Sequence, residues 1–362
     1  MPGDFAPQYQ PKAKAVAPLA MLGENGKLKR GAEPELSDEQ ALEGLRQMML
    51  GRAFDEKCLS QQRQGRLGTF APVFGQEAAM IGTALAMDPA KDWAVPQYRE
   101  FSVQLSQGIP MLSTILYRRG HPDGGIIPDG VRVMATQVSL AAQIPHAVGL
   151  GWGMKLKGED GVAVAFFGEG SSSEGDFHES CNLAGVVDAP VVFLLQNNQW
   201  AISTPRAIQT SGADFASRGP AYGFPGVSVD GNDLFAMHKV MSDAIRRGRE
   251  GKGATLVEAV TYRMGMHTTA DDPTRYVDPA ERERWAKKDP IIRVQKYLAA
   301  QGLWDDDRAG EWEAAIHDQV EEAFAQADAY PAPKAEAIYE HVFAEMTPTL
   351  SRQRAEHLGA EG

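Results

Sequence analysis

Two oxygen-bearing side chains, Glu169 and Asn198, stand where they could bind a metal ion together. Glu169 follows the apolar run Val162–Phe167, and Asn198 follows a second apolar run, Val191–Leu195. Short, uniformly apolar runs are typical of strands that are buried on both faces of a parallel sheet. Because such sheets bind ligands beyond the carboxyl ends of their strands, the sequence predicts that both side chains meet at a ligand-binding edge.

The chemistry open to this pair is that of a magnesium site. Mg²⁺ prefers octahedral oxygen and often needs only one or two carboxylates beside substrate phosphates. Glu169, Asn198 and the backbone carbonyl of Trp200 could hold a magnesium ion bound to a diphosphate. The residues around Glu169 are small or hydroxylated, which allows phosphates to approach the backbone and its donors: Gly168, Gly170, Ser171 and the two serines after it.

Other interpretations of this stretch stay open on the residues alone. Gly168-Glu169-Gly170 could be a nicotinamide fingerprint, although Ser173 stands where that motif has its third glycine. The glycines could also form a ligand-free turn, and Asn197-Asn198 could serve ordinary turn chemistry. The joint pattern favours the diphosphate site, because a helix is predicted over Gly175–Val187 between the two strands.

Composition restricts the class of protein. The chain has 362 residues, of which 43% are apolar, enough for one large α/β domain or two smaller ones. A net charge of −12 argues against a nucleic-acid or anionic-membrane surface. Cys58 and Cys181 lie far apart, which indicates reduced structural thiols and a cytoplasmic location. No apolar stretch approaches the roughly 20 residues of a membrane span, and no signal-peptide core is present.

The remaining pattern predicts the elements that must position this edge. We expect an N-terminal arm over 1–36, with a short hairpin at 19–29, an α/β domain with C-terminal helices over 37–345, and a loose tail over 346–362. Ser37 and Gln40 fit a capping box that opens a helix ending near Gly65. Beyond Asn198 we expect a loop over 215–223, strands over 226–229 and 255–261, and a helix over 234–249, so the sheet has at least four or five parallel strands.

Two further places could contribute to a diphosphate site. Tyr98 and Arg99 follow a short apolar segment and could hold a phosphate through a hydroxyl and a guanidinium fork, although a surface arginine beside a core tyrosine is the alternative. His267 lies in the segment 262–278, which is long enough to be either functional or disordered. His121 opens a Gly- and Pro-rich loop. Either histidine could instead be a solvated loop residue.

The joint pattern is similar to the thiamine diphosphate motif, which runs from Gly-Asp-Gly to Asn-Asn; here Glu169 is the middle acid. The wider text GEGSSSEGDFHES and QNNQWAISTP resembles the alpha subunit of the dehydrogenase component of 2-oxo acid dehydrogenase complexes. This resemblance extends from about Leu19 to Trp304. It implies the α/β thiamine-diphosphate-binding fold, with a mostly parallel central sheet and helices on both faces.

The resemblance also implies an activity and partners. The expected reaction is oxidative decarboxylation of a 2-oxo acid, with reductive acylation of a lipoyl group on the acyltransferase component. A separate beta subunit is expected to supply the group that activates the cofactor, in an α2β2 heterotetramer. The Gly120-His121 loop favours pyruvate as the substrate over a branched-chain 2-oxo acid such as 3-methyl-2-oxobutanoate. A non-catalytic scaffold subunit of the same fold is the non-enzymatic alternative.

Individual residues acquire roles by the same resemblance. Tyr98 and Arg99 are expected to contact the cofactor diphosphate, and the backbone of Val138 and Leu140 its aminopyrimidine ring. Catalytic roles in proton donation or oxyanion stabilisation fall to two histidines, His267 and His121. The potassium ligands of some relatives are not reproduced at Gln137, Ser139 and Ala142, so no potassium site is expected. Regulation by phosphorylation is doubtful, because Thr268 replaces the serine that some relatives carry after the histidine.

Overall fold

The computed structural model describes residue 15, residues 17–340 and residues 342–359. Residues 1–14 and 16 of the expected N-terminal arm and the last three residues of the expected tail lie outside the described residues. The strands are β1 (Trp93–Val95), β2 (Ala163–Gly168), β3 (Val191–Asn197), β4 (Trp200–Ala201), β5 (Thr204–Pro205), β6 (Gly226–Asp230) and β7 (Thr255–Val260). Short 3₁₀ helices are Pro122–Gly125, Glu169–Ser173, Ala216–Tyr222 and Pro273–Arg275.

The α-helices alternate with these strands through the middle of the chain and follow them at its carboxyl end. They are α1 (Asp38–Arg63), α2 (Glu77–Ala86), α3 (Phe101–Ser106), α4 (Met111–Arg118), α5 (Gln143–Lys157), α6 (Gly175–Val187), α7 (Arg206–Gln209), α8 (Leu234–Arg249), α9 (Pro279–Ala286), α10 (Pro290–Ala300), α11 (Asp306–Asp328), α12 (Ala337–Glu340) and α13 (Pro348–Gly359).

The central sheet has the order β1-β2-β3-β7-β6, and each neighbouring pair is parallel. Gly168 at the end of β2 pairs in register with Gln196 near the end of β3. The residues that follow these two strands therefore leave the sheet at the same edge. β4 and β5 form a separate antiparallel pair just beyond that edge.

Helices cover both faces of the sheet, as predicted. Successive strand residues point to opposite faces, and the core divides accordingly. Val164, Phe166 and Leu194 belong to the cluster that includes α1, α2, α8 and α10. Phe167 and Phe193 belong to the cluster that includes α5 and α6. The predicted fold class, α/β with a parallel sheet between two helical layers, is confirmed.

The chain builds these elements from local signals that the sequence carries. The Ser37 side chain accepts from the Gln40 backbone while the Gln40 side chain accepts from the Ser37 backbone, so the capping box opens α1 at the expected place. The helix predicted over Gly175–Val187 has those bounds in α6. The loop predicted over 215–223 was wrong, because Ala216–Tyr222 forms a 3₁₀ helix.

The N-terminal hairpin is reduced to isolated bridges. Leu19 extends the sheet beside Val229 of β6, and Leu22 pairs with Leu28 across a turn. At the other end of the described chain, α12 and α13 contain no buried residue. The proposed boundaries of arm, domain and tail stay a prediction. Within the described ranges, no helix combines the length and apolarity that a membrane crossing requires.

Truncation of the buried Leu194 should weaken the fold. Its side chain is fully buried in β3, so we expect Leu194→Ala to lower the free energy of unfolding by about 2–5 kcal/mol, through lost burial and the cavity left behind. Urea unfolding of the full chain measures the change. Leu156→Ala on α5, where the leucine is 72% exposed, is the matched control. Equal losses in the two variants would contradict the assigned core.

Candidate functional site at the carboxyl edge of the sheet

A cavity of about 680 Å³ lies at the carboxyl edge of β2 and β3. It is lined by residues from the N-terminal half of the chain, from both strand ends and from the segment after β7. The structure thereby brings most of the predicted site residues to one place: Tyr98, Arg99, Val138, Leu140, Gly168, Glu169, Gly170, Ser171, Asn198, Trp200 and His267. Thr268 lines the same cavity.

Glu169 and Asn198 are in direct contact. The Asn198 backbone N–H donates to Glu169 Oε2 at 3.2 Å, and Gln209 Nε2 donates to Glu169 Oε1 at 3.4 Å. The glutamate is only 1% exposed. Burial raises the pKa of Glu169 above its ordinary value, while the hydrogen bonds and the charge of Arg263 oppose that rise. A divalent cation beside this carboxylate would favour its ionised form.

Asn198 is fixed through its side chain. Its Oδ1 accepts from the Trp200 backbone N–H at 3.2 Å, and its Nδ2 donates to Gln76 Oε1 at 3.1 Å. The amide oxygen therefore has one lone pair that no contact among the described residues uses. Gln76 comes from the start of α2, so an element distant in sequence orients the asparagine at the end of β3.

The Trp200 carbonyl is held on strained backbone. Arg263 Nη1 donates to this oxygen at 3.2 Å. Gln199 and Ile202, on either side of β4, have positive φ angles of 75° and 56°, which residues other than glycine rarely adopt. Such backbone persists only where the surrounding structure over-determines it and is concentrated at functional sites. These constraints fix the Trp200 backbone, whose N–H contacts Asn198 and whose carbonyl accepts from Arg263.

Tyr98 and Arg99 are set by a buried carboxylate. Glu100 Oε2 accepts from the Gln97 and Arg99 backbone N–H groups at 2.9 Å and 3.0 Å, and Oε1 accepts from Gln196 Nε2 at 2.8 Å. Glu100 thereby ties this loop to the end of β3. Arg99 is 5% exposed, so the alternative of a surface arginine was wrong.

His267 sits between two guanidinium groups. Arg99 Nη2 lies 3.3 Å from His267 Nδ1, and Arg263 Nη1 lies 3.4 Å from the same nitrogen. Burial, followed by the charges of Arg99 and Arg263, lowers the pKa of His267 to about 4. Because guanidinium groups can only donate, Nδ1 must accept and the neutral ring carries its proton on Nε2.

The long segment after β7 is ordered around this histidine. Asp271 Oδ2 accepts from the His267 backbone N–H at 2.6 Å and from the Tyr276 hydroxyl at 2.5 Å. Arg263 Nη2 donates to Tyr276 Oη at 2.8 Å and to the Ile202 carbonyl at 2.6 Å. These contacts join the segment to the β4–β5 turn, so one buried arginine couples His267 to Trp200.

Several buried polar atoms at the cavity wall have no partner among the described residues. They are Gln76 Nε2, Gln97 Nε2, Ser171 Oγ, Gln196 Oε1 and Gln209 Oε1. Buried polar groups in native proteins are nearly always hydrogen-bonded. Together with the cationic Arg99, this set fits a ligand that carries several polar groups and negative charge. A diphosphate with a bound cation has that character.

The donor set also restricts the metal. Within the described ranges, no group of three or more His, Cys, Asp and Glu side chains could hold an ion. One carboxylate, one amide oxygen and one carbonyl are instead available at Glu169, Asn198 and Trp200. Hard oxygen donors with few carboxylates suit Mg²⁺ completed by phosphate oxygens and water.

The predicted aminopyrimidine-contacting residues lie at the mouth of the cavity. Val138 is 64% and Leu140 is 42% exposed, although both side chains are apolar. Ala141, directly after them, is buried with a φ of 64°. An uncommon backbone conformation at Ala141 therefore directly follows Leu140 at the cavity mouth.

His121 does not line this cavity. Its Nδ1 accepts from the Asp123 backbone N–H at 3.1 Å, its Nε2 lies 3.1 Å from the Pro331 carbonyl, and its ring packs edge-on against Tyr330. These contacts leave His121 outside the lining that His267 shares, and its expected catalytic role stays a prediction. The residues after α11 hold the His121 loop in place, and nothing near position 121 in the sequence indicates those contacts.

Sequence reasoning missed three residues that set the site. Arg263 follows β7 at the same sheet edge as Glu169, so its position was an available signal. Gln76 and Glu100 come from helix starts, and their contacts depend on how α2 and α3 pack. No spacing rule predicts those contacts.

Comparison with known proteins assigns the chain to a family. Residues 45–336 match the family described as "Dehydrogenase E1 component", and the chain belongs to that family. It is 41% identical over 337 residues to the pyruvate dehydrogenase E1 component subunit alpha of Acholeplasma laidlawii, covering 92% of this chain and 97% of the relative.

Two further relatives carry the same description. The pyruvate dehydrogenase E1 component subunit alpha of Staphylococcus epidermidis is 38% identical, with 88% of this chain and 86% of the relative covered. The subunit of Staphylococcus aureus is 37% identical over 361 residues, with 96% and 97% covered. Family membership implies thiamine diphosphate as the cofactor.

The low pKa of His267 should appear in the pH dependence of stability. An unfolded chain binds a proton at His267 near pH 6.5, whereas the folded chain does so only near pH 4. Acidification through this window therefore favours unfolding. We expect His267→Gln to lose less free energy of unfolding between pH 6.5 and pH 4.5 than the wild type, as measured by urea unfolding. His146→Gln, at an exposed histidine of α5, is the control. Parallel profiles for all three proteins would contradict the assignment.

Proposed function

We propose that this chain is the alpha subunit of a dehydrogenase that oxidatively decarboxylates pyruvate and acylates a lipoyl group, together with a separate beta subunit. One observation carries the proposal. Glu169 and Asn198 meet at 3.2 Å in a single cavity with Arg99 and His267. A scaffold subunit would have no need to keep a buried carboxylate, two buried guanidinium groups and unpartnered polar atoms together.

The names of the relatives support pyruvate as the substrate. Each relative reported above is described as a pyruvate dehydrogenase subunit, and this favours pyruvate over 3-methyl-2-oxobutanoate. The match to the dehydrogenase E1 family also argues against the alternative of a nicotinamide-binding protein. Substrates that differ by one or two methyl groups are separated by only ~1–3 kcal/mol per methylene, so the assay has to compare them directly.

Glu169, Asn198 and the Trp200 carbonyl would hold Mg²⁺, and Tyr98 and Arg99 would bind phosphate oxygens. Thiamine diphosphate supplies the electron sink that makes loss of carbon dioxide from a 2-oxo acid possible. The backbone of Val138 and Leu140 would meet the aminopyrimidine ring. Ser171 Oγ, buried without a partner, would donate to the diphosphate.

The chain's own residues prepare this site for proton transfer. His267 is neutral at pH 7 and carries its proton on Nε2, so it can donate a hydrogen bond to a developing oxyanion. Burial, with the charges of Arg99 and Arg263, keeps the ring neutral, and the two arginines fix its tautomer. We assign His121 no part in this cavity, because its contacts with Asp123 and Pro331 hold it elsewhere.

The exposed apolar mouth of the cavity supports a partner chain. Four of its lining residues are large, apolar and between 42% and 64% exposed: Val138, Leu140, Ile202 and Ile208. An exposed cluster of this kind at a site typically marks a surface that another chain covers. We propose the beta subunit as that chain, in an α2β2 heterotetramer, with the lipoyl domain of the acyltransferase as a transient partner.

Assay of the co-expressed alpha–beta pair tests the activity. With Mg²⁺ and thiamine diphosphate, we expect pyruvate-dependent dye reduction by the pair and none by the isolated chain, because the site is completed at the subunit interface. We expect kcat/KM for pyruvate to exceed that for 3-methyl-2-oxobutanoate by about tenfold or more. A preference for the branched acid would overturn the substrate, and no cofactor-dependent turnover of any 2-oxo acid would overturn the function.

Removal of the charge at Glu169 tests the metal site. We expect Glu169→Gln to weaken Mg²⁺-dependent binding of thiamine diphosphate about tenfold or more, because the proposed carboxylate ligand is lost. Fluorescence titration of the alpha–beta pair, with and without Mg²⁺, measures the dissociation constant. Glu179→Gln, at an exposed glutamate of α6, is the control. Unchanged cofactor affinity in Glu169→Gln would remove Glu169 from the metal site.

A further inference from the structure

Arg118, the last residue of α4, stands between two cavities. It lines the cavity that contains Glu169 and Asn198, and it also lines a smaller one of about 70 Å³. Tyr98 is the other residue common to both linings within the described chain. A ligand that reaches from the larger cavity towards the smaller one must pass these two side chains.

Arg118 has no carboxylate partner among the described residues. Its Nη2 donates to the Tyr98 carbonyl at 2.6 Å, and its guanidinium lies over the rings of Phe70 and Tyr117 at 5.6 Å and 5.5 Å. Its Nε is buried without a hydrogen-bond partner. A largely buried cation is ordinarily paired, because an unpaired charge in a dry environment is costly. The geometry therefore leaves room for one anionic group at Arg118.

The other guanidinium groups at the site are engaged differently. Arg99 donates to the Pro72 carbonyl and to the His267 carbonyl. Arg263 donates to the carbonyls of Trp200 and Ile202 and to the Tyr276 hydroxyl. Both arginines therefore donate hydrogen bonds to protein groups around His267. Arg118 makes one such bond and retains unused donors beside the larger cavity.

The smaller cavity next to Arg118 is mostly apolar. Its lining includes the side chains of Phe101, Ile109, Ile127, Val133, Met134 and Ala135. Among the residues proposed to hold the metal and the diphosphate, Tyr98 alone also lines this smaller cavity. A single cation at the border of a small apolar space matches a short organic acid, which has one carboxylate and a small alkyl group.

We propose that Arg118 binds the carboxylate of the 2-oxo acid substrate, an inference that rests on the proposed function. The guanidinium donates charge-assisted hydrogen bonds to the carboxylate and so orients the neighbouring ketone within the larger cavity. The carboxylate leaves as carbon dioxide during the reaction, so this contact is present in the bound substrate and weakens as the reaction proceeds. Its loss raises KM more than it lowers kcat.

Replacement of Arg118 in the co-expressed alpha–beta pair tests this role. We expect Arg118→Gln to raise KM for pyruvate about tenfold or more, with kcat changed by less than about threefold. KM for 2-oxobutanoate rises by the same factor, because both acids have the same carboxylate. The dissociation constant of thiamine diphosphate, measured by fluorescence titration without substrate, stays within about twofold of the wild type.

Matched variants separate this role from a structural one. Arg119→Gln makes the same change one residue further on, where the arginine pairs with Asp328 at 2.6 Å outside both cavities, and KM stays unchanged. Arg118→Met keeps an apolar contact with the Phe70 ring without charge and reproduces the KM effect if Arg118→Gln does not fold. Arg118→Lys recovers part of the affinity.

Three outcomes would overturn the proposal. KM that is unaltered in both neutral variants excludes carboxylate binding, and an equal KM increase in Arg119→Gln shows a general effect of charge. A dissociation constant of thiamine diphosphate that rises as much as KM assigns Arg118 to the diphosphate instead. Failure of the proposed function is distinguishable, because the wild-type pair would then show no turnover of pyruvate.

Discussion

The burial of one carboxylate, that of Glu169, is the constraint on which the site depends. The strand β2 ends at Gly168 and delivers the next residue into the interior, where ionisation is disfavoured and the pKa of Glu169 is raised. The chain compensates in part with the Asn198 N–H, the Gln209 amide and the charge of Arg263. A divalent cation bound beside Glu169 would offset the remaining cost of ionising this buried carboxylate. The Asn198 amide oxygen and the Trp200 carbonyl would share that cation with Glu169 in the proposed metal site.

The parts of the site that could be predicted are those encoded by contiguous sequence. Two apolar runs, a helix of suitable length and the polar residues after each run determine one βαβ unit, and a parallel register places both strand ends at one edge. The same reasoning predicted that His267 lies at this edge, because it follows β7 in the same sheet. These predictions required no knowledge of packing, because the hydrogen-bonding pattern of a parallel sheet brings the ends of neighbouring strands to one edge.

The residues that were not predicted owe their positions to packing between distant elements. Gln76 orients Asn198 from α2, and Glu100 clamps the Tyr98–Arg99 loop from the start of α3. Arg118 reaches the cavity only because α4 ends against the Tyr98 carbonyl. The contact of His121 with the Pro331 carbonyl after α11 likewise depends on packing between distant elements. A local sequence pattern does not predict such contacts.

The conformation of the cavity mouth argues that the chain is one part of a larger site. Ala141 and Ile202 both have left-handed backbone, and each lies at a segment that carries exposed apolar side chains. Strained backbone is retained where its geometry is used, yet a single chain gains nothing from presenting Leu140 and Ile202 to water. A second chain packed on this mouth, as proposed above, would account for both the strain and the exposure. Arg263, which donates to the Ile202 carbonyl and flanks His267, would then couple that contact to the histidine of the site.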